Sequence, residues 1–169
     1  LHLSIRRQRQ MCIRDSTYSA PAGFAATANV TAEAYARAAS DPTLFWEQAA
    51  ERLDWAEPWH TAHEWDPSVG DAVPAARWFV GGQLNVAYNC VDRHVEAGRG
   101  DKVALHFEGE PGDRIAVTYS DLQDRVSRAA NALIALGIRP GDRVVVYLPV
   151  LIETVVITLA CARVGAVHS

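Results

Sequence analysis

Residues 143–169, "RVVVYLPVLIETVVITLACARVGAVHS", carry the pattern that decides the fold. "RVVVYLP" is a continuous apolar run rich in β-branched residues, and such a run reads as a strand buried on both faces. Pro149 breaks it. "LIETVVITLACARVG" then reads as a helix apolar on nearly every side, stopped by Gly165, and "AVHS" opens the next strand. Strand, covered helix and strand in that order begin a parallel βαβ unit and place the chain in the α/β class. A membrane span over residues 144–162 is the competing reading, and Pro149, Glu153 and Arg163 weigh against it.

Working back along the chain, the Pro140-Gly141-Asp142 turn precedes that strand, and before it lies the clearest amphipathic helix. Ser120 is its expected cap, with Gln123 completing a capping box. Leu122, Val126, Ala129, Leu133 and Leu136 recur at spacings of three and four as one apolar stripe, and Gly137 ends the helix. Each large aliphatic in that stripe gains about 1.5–3 kcal/mol on burial, so the helix is expected to lie on a sheet. Upstream, "KVALHFEGE" alternates Val103, Leu105 and Phe107 with polar neighbours, Pro111-Gly112-Asp113 turns, and "RIAVTY" returns as a hairpin. Asn85 is the expected cap of a helix over 86–97 that stops at Gly98.

The N-terminal third has a different character. Residues 17–30 are small and weakly polar and read as an unstructured lead. Thr31 caps a helix through Ala39, and Asp41-Pro42 opens a second over "TLFWEQAAERLDW". All five tryptophans, Trp46, Trp55, Trp59, Trp65 and Trp78, fall in one short stretch. Residues 56–79 have little periodicity and are expected to wrap a larger body, with indole rings as anchors. "RWFVGGQLN" reads as a hairpin-like stretch turning at Gly81-Gly82.

Composition bounds the function. The chain of 169 residues is 49% apolar and 21% charged, as in an ordinary soluble domain, and its net charge of −4 does not favour a nucleic-acid partner. Cys12, Cys90 and Cys161 are odd in number and widely spaced, so they define neither a disulfide framework nor a zinc site. Residues 1–16 hold four of the 16 basic residues and one of the 20 acidic ones, so they carry +3 and the remainder −7. They lack a signal peptide's apolar core and read as a non-native segment similar to translated adapter sequence. A basic targeting arm, or a nucleic-acid or membrane partner, would depend on them alone.

One polar crowd asks for an explanation: "NVAYNCVDRHVEAG", residues 85–98. Cys90 and His94, four apart, could share a metal, yet no spacing links them to His60, His63, Asp92 or His106. A Cys90–His94 nucleophile pair would sit in mid-helix without oxyanion donors. The remaining reading is structural, with Asn85 as cap, Tyr88, Cys90 and Val91 packing, and Asp92, Arg93 and Glu96 solvated or paired. His168 reads as a histidine at a sheet edge. No phosphate-cradling Gly-rich motif occurs, Gly81-Gly82 included. No catalytic, cofactor-binding or metal residue is assigned from the residues themselves.

Three stretches together, "WFVGGQLNVAYNCVDRHVEAGRGDKVALHFEGEPGDR", "TYSDLQDRVSRAANALIALGIRPGDRVVVYLP" and "LACARVGAVHS", resemble the N-terminal part of the AMP-forming acetyl-coenzyme A synthetases, bacterial short-chain enzymes above all. The resemblance spans about residues 30–169, departing where Leu151-Ile152 precede Glu153 and the family commonly has a second proline. It implies residues 31–98 as the N-terminal aromatic wrapping segment and 99–169 as the truncated start of the AMP-binding large domain of an adenylate-forming enzyme. It implies a cytoplasmic ligase that converts acetate, magnesium–ATP and coenzyme A to acetyl-CoA, AMP and pyrophosphate through acetyl-adenylate. The substrate-holding motifs of that family do not occur here, so the expected partners are those small molecules and the missing remainder of the same polypeptide, and this chain alone is expected to be inactive. A propionyl or other short-chain synthetase, or a free-standing interaction domain, are the alternatives.

Overall fold

The computed structural model describes residues 18–67 and 75–169, the Ala75 side chain excepted. The readings placed on residues 1–16 and on Cys12 lie outside these residues. The chain divides into two compact units, Leu1–Trp46 and Glu47–Ser169.

The first unit contains α1 (Ala22–Ala26), α2 (Ala32–Ser40) and the start of α3 (Pro42–Ala50). The lead expected to lack structure therefore holds one helical turn, none of it buried. Thr31 stands at the N-cap of α2 but makes no side-chain cap bond. Asp41 does cap α3, its Oδ1 accepting from the Leu44 N–H at 2.9 Å. That helix stops at Ala50, short of the expected Trp55, and the Trp55 indole Nε1 donates to the Ala50 carbonyl at 2.9 Å.

The second unit opens with an antiparallel pair, β1 (Thr61–Asp66) and β2 (Ala75–Val80), in the register His63↔Trp78 and Trp65↔Ala76. This corrects two expectations. The aperiodic stretch forms a strand, and Gly81-Gly82 does not turn a hairpin within "RWFVGGQLN". Instead the Gly82 N–H closes on the Phe79 carbonyl at 2.9 Å, and Gln83 then bridges back to Glu57. Strand β1 escapes a pattern reading because His63, Glu64 and Asp66 interrupt its alternation. A helical run over 86–99 follows, containing π-type turns at Tyr88–Asp92 and Val95–Arg99 where a regular α-helix was expected. Gly98, at φ 75°, sits where the stop was expected.

The hairpin β3 (Val103–Glu108) and β4 (Arg114–Thr118) forms as read, with Gly112 at φ 90° in its turn. Helix α4 (Tyr119–Ala135) begins earlier than read: the cap is Thr118, whose Oγ1 accepts from the Asp121 N–H at 3.1 Å while the Asp121 carboxylate accepts from the Thr118 N–H at 3.3 Å. The Thr118 hydroxyl, which donates to Asp121 Oδ2 at 2.8 Å, and this amide bond hold the Asp121 carboxyl below its usual range. Ser120 lies inside the helix. The stripe is also corrected by a residue: Leu122, Val126, Ala130 and Leu133 are buried, Ala129 is half-buried, and Leu136 is 80% exposed. Gly137, at φ 93°, ends the helix as read.

Strand β5 (Arg143–Val144), helix α5 (Ile152–Val164) and β6 (Val167–His168) form the parallel βαβ unit. Gly165 closes α5 in the left-handed conformation. Helix α4 packs against α5 and the β3–β4 hairpin, around a core that includes Val91, Val117, Val126, Ile152 and Cys161. The expected strand buried on both faces is not found: Val145, Tyr147 and Val150 are 80%, 98% and 92% exposed. Burial on both faces needs a neighbouring strand on each side and a layer above and below, and among the described residues β5 has one neighbour. Among the described residues no helix is long and apolar enough to cross a membrane.

Replacing Thr118 by Ala is expected to lower the unfolding free energy by about 1 kcal/mol, read from the urea midpoint by circular dichroism. Ser120→Ala should change it by no more than about 0.5 kcal/mol, and the reverse order of effects would contradict the observed cap.

Candidate functional site

Helical spacing sorts the polar crowd. Asn85, Asn89, Asp92 and Glu96 are separated by four, three and four residues, which sets them along one side of a helix. That side meets the loop after α3 and the last turn of α5. Asn89 takes both backbone groups of Asp54, its Oδ1 accepting from the N–H at 2.9 Å and its Nδ2 donating to the carbonyl at 2.9 Å. Asn85 caps its own helix by accepting from the Tyr88 N–H at 3.2 Å, and its Nδ2 donates to the carbonyls of Ala162 at 3.4 Å and Arg163 at 3.1 Å.

Asp92 is the centre. It is only 9% exposed, and it pairs with Arg163 through Nη2–Oδ2 at 2.6 Å while Gln123 Nε2 donates to Oδ1 at 2.8 Å. One carboxylate thus joins the 86–99 helix to both α4 and α5. Arg93 extends the system, donating to the Arg52 carbonyl at 2.8 Å and meeting Asp54 Oδ2 at 3.4 Å. The Tyr88 hydroxyl donates to Glu96 Oε2 at 2.7 Å, a bond that raises its pKa.

The pairing read for Asp92, Arg93 and Glu96 is present, and two details of the reading change. Cys90 is exposed and not packed, and Gln123 serves Asp92 in place of a capping box. The missed signal was the polar spacing itself, which is hard to weigh without knowing that α4 and α5 supply its partners. His94 accepts from Arg99 Nη2 at its Nδ1, 2.8 Å away, and its ring lies 4.9 Å from that of Tyr119. Desolvation, then the nearby Arg99, Arg93 and Lys102 charges, lower its pKa. Among the described residues no three His, Cys, Asp or Glu side chains are grouped to hold a metal ion. His168 lies on β6, at the rim of its two-stranded sheet.

Of the five tryptophans, two behave as anchors. Trp55, Trp59 and Phe79 form one cluster with ring centroids 5.0–5.6 Å apart. Trp46, Trp65 and Trp78 remain 41–58% exposed, with Trp78 stacked on His63 at 4.2 Å.

An open pocket of about 680 Å³ lies beside the network, lined by Asp54, Trp55, Ala56, Asn85, Tyr88, Asp92, Glu96 and Arg163. A second, of about 510 Å³, lies between Asn131, Ile138, Pro140 and Arg163. Both involve the C-terminal end of α5, which leads into the amino end of β6. In open α/β sheets ligands bind beyond the carboxyl ends of the strands. The polar network therefore lies at the opposite edge, and most of its donors and acceptors are already spent on one another.

Removing the Asp92 carboxylate strands Arg163 in a largely buried position, so Asp92→Ala is expected to cost about 3 kcal/mol in equilibrium unfolding. The apolar pair Asp92→Leu/Arg163→Met should recover most of that loss. A neutral Asp92→Ala would contradict the tie. Because the lowered pKa of His94 means the unfolded chain binds the extra proton first, stability should fall as pH drops below the ordinary imidazole value of 6.5. His94→Gln should flatten that dependence in thermal melts between about pH 7 and 5, and an unchanged slope would count against the assignment.

Comparison with known proteins is consistent along the chain. Residues 31–90 match the family described as acetyl-coenzyme A synthetase N-terminus, and residues 91–169 match the AMP-binding enzyme family. The acetyl-coenzyme A synthetase of Streptomyces avermitilis is 60% identical over 153 residues, covering 90% of this chain and 22% of that protein. That of Streptomyces coelicolor is 57% identical over 153 residues, covering 90% and 23%. Among solved structures, acetoacetyl-CoA synthetase from Streptomyces lividans superposes with a TM-score of 0.68 at 34% identity, over 79% of this chain and 20% of that one. The chain thus spans under a quarter of the length of these relatives.

Proposed function

We propose that residues 31–169, which match the acetyl-coenzyme A synthetase N-terminus over 31–90 and the AMP-binding enzyme family over 91–169, form the N-terminal scaffold of an AMP-forming acetate–CoA ligase of the cytoplasm. In that reaction an acetate oxygen attacks the α-phosphorus of magnesium–ATP, expelling pyrophosphate and leaving acetyl-adenylate. The coenzyme A thiol, losing its proton, then attacks the acyl carbon and AMP departs. Both steps build negative charge that fixed donors and cations must stabilise.

The observation that carries this reading is the division of labour between the two edges of β5 and β6. At the amino edge, Asn85, Asn89, Asp92 and Arg163 bind one another and the backbone. At the carboxyl edge, where a nucleotide would be met, Tyr147 is 98% exposed and the chain from Val145 to Val150 carries apolar side chains without a cationic or acidic one. A scaffold fits this distribution, and a self-contained active site does not. We therefore assign residues 31–98 to the wrapping segment and 99–169 to the opening of the large domain. The groups that touch acetate, ATP and coenzyme A are placed elsewhere in the enzyme.

Acetate-dependent exchange of radiolabelled pyrophosphate into ATP tests this. The 169-residue chain should show none above a buffer control, whereas the protein translated from its full reading frame should show it strongly. Exchange by the chain itself would overturn the scaffold reading, and its absence from the full protein would overturn the ligase.

A further inference from the structure

We propose that Asp92, Asn85 and Arg163 are positioning residues, through which the N-terminal segment sets where β6 emerges at the carboxyl edge; the functional half of this inference rests on the ligase reading above. The last turn of α5 is gripped from outside twice, by Asn85 on the carbonyls of Ala162 and Arg163 and by Asp92 on the Arg163 guanidinium. Only Gly165 and Ala166 separate this helix from β6.

That link has no slack. Gly165 is left-handed at φ 75°, and a Cβ there would stand 3.3 Å from Pro140. Its carbonyl accepts from the Gly141 N–H at 2.8 Å, and the Ala166 N–H returns to the Cys161 carbonyl at 2.9 Å. The ladder then runs on in register: Val167 N–H to Asp142 at 2.8 Å, Ser169 N–H to Val144 at 3.1 Å, and Val146 N–H to Ser169 at 2.8 Å. A shift of the α5 terminus must therefore displace β6 along β5 or break this ladder. A buried ion pair is a weak source of net stability, since an apolar pair of similar volume often serves as well, but its directed contacts can specify one arrangement.

The double variant Asp92→Leu/Arg163→Met separates the two roles in the full-length protein. Deuterium exchange should rise at least tenfold in peptides covering 165–169 and stay within about twofold in peptides from the buried face of α4. Acetate-dependent turnover should fall at least tenfold while the melting temperature holds, and Arg163→Lys, which keeps the charge, should restore part of it. If the double variant does not fold, Asn85→Ala, which leaves the ion pair in place, should give the same localised exchange. Uniform exchange across α4 and β6, or no change in either, would overturn the positioning role. Localised exchange in a full-length protein with no ligase activity would leave positioning intact and sink only the ligase.

Discussion

A single carboxylate organises the second unit. Asp92 is nearly buried, and a carboxylate withdrawn from water must recover its hydration from directed partners. It finds them on two different helices, Arg163 on α5 and Gln123 on α4. The penalty for a poor arrangement is severe, so α4, α5 and the 86–99 helix have little freedom to slide past one another. The apolar core formed by Val91, Val126, Ile152 and Cys161 then fills the space that this arrangement defines. Burial supplies the larger share of the favourable free energy, but apolar contact is non-directional and would accept other crossings.

The β1–β2 hairpin is seated by a different device. Trp55 and Trp59 bracket Phe79, which sits at φ 51°, a conformation that a bulky residue adopts only under constraint. Next to it, Gly82 leaves room that any side chain would take, since a Cβ there would lie 2.6 Å from the Trp55 ring. The asparagines and the aromatic trio meet at neighbouring residues, because Asn89 holds Asp54 and Trp55 follows it. Polar direction and aromatic bulk thus fasten the same short loop.

The β5–β6 ladder marks the unit's other extreme. Two residue pairs and a few flanking amide bonds join the strands, and the side chains of Val145, Tyr147, Leu148 and Val150 are exposed. Exposed strand edges of this kind are templates for further pairing.

Local pattern was enough to identify α4, the β3–β4 hairpin, α5 and the parallel order of β5 and β6, because each rests on a periodicity or a turn glycine that acts within a few residues. The start of α4 was misread because Thr118 and Ser120 can both cap, and only the Asp121 contact chooses between them. Helix α3 ended early and β1 was missed because their partners, the Trp55 indole and strand β2, act through space. The same holds for the site. The residue types of the crowd at 85–98 were visible, and together with the two later stretches they carried the family resemblance. That Asp92 faces Arg163, 71 residues away, and not water, is a property of the folded chain. Hydrophobic periodicity is a local quantity that the amino-acid order contains outright. The pairing of a buried charge depends on which distant surfaces are brought together, and tertiary structure alone decides that.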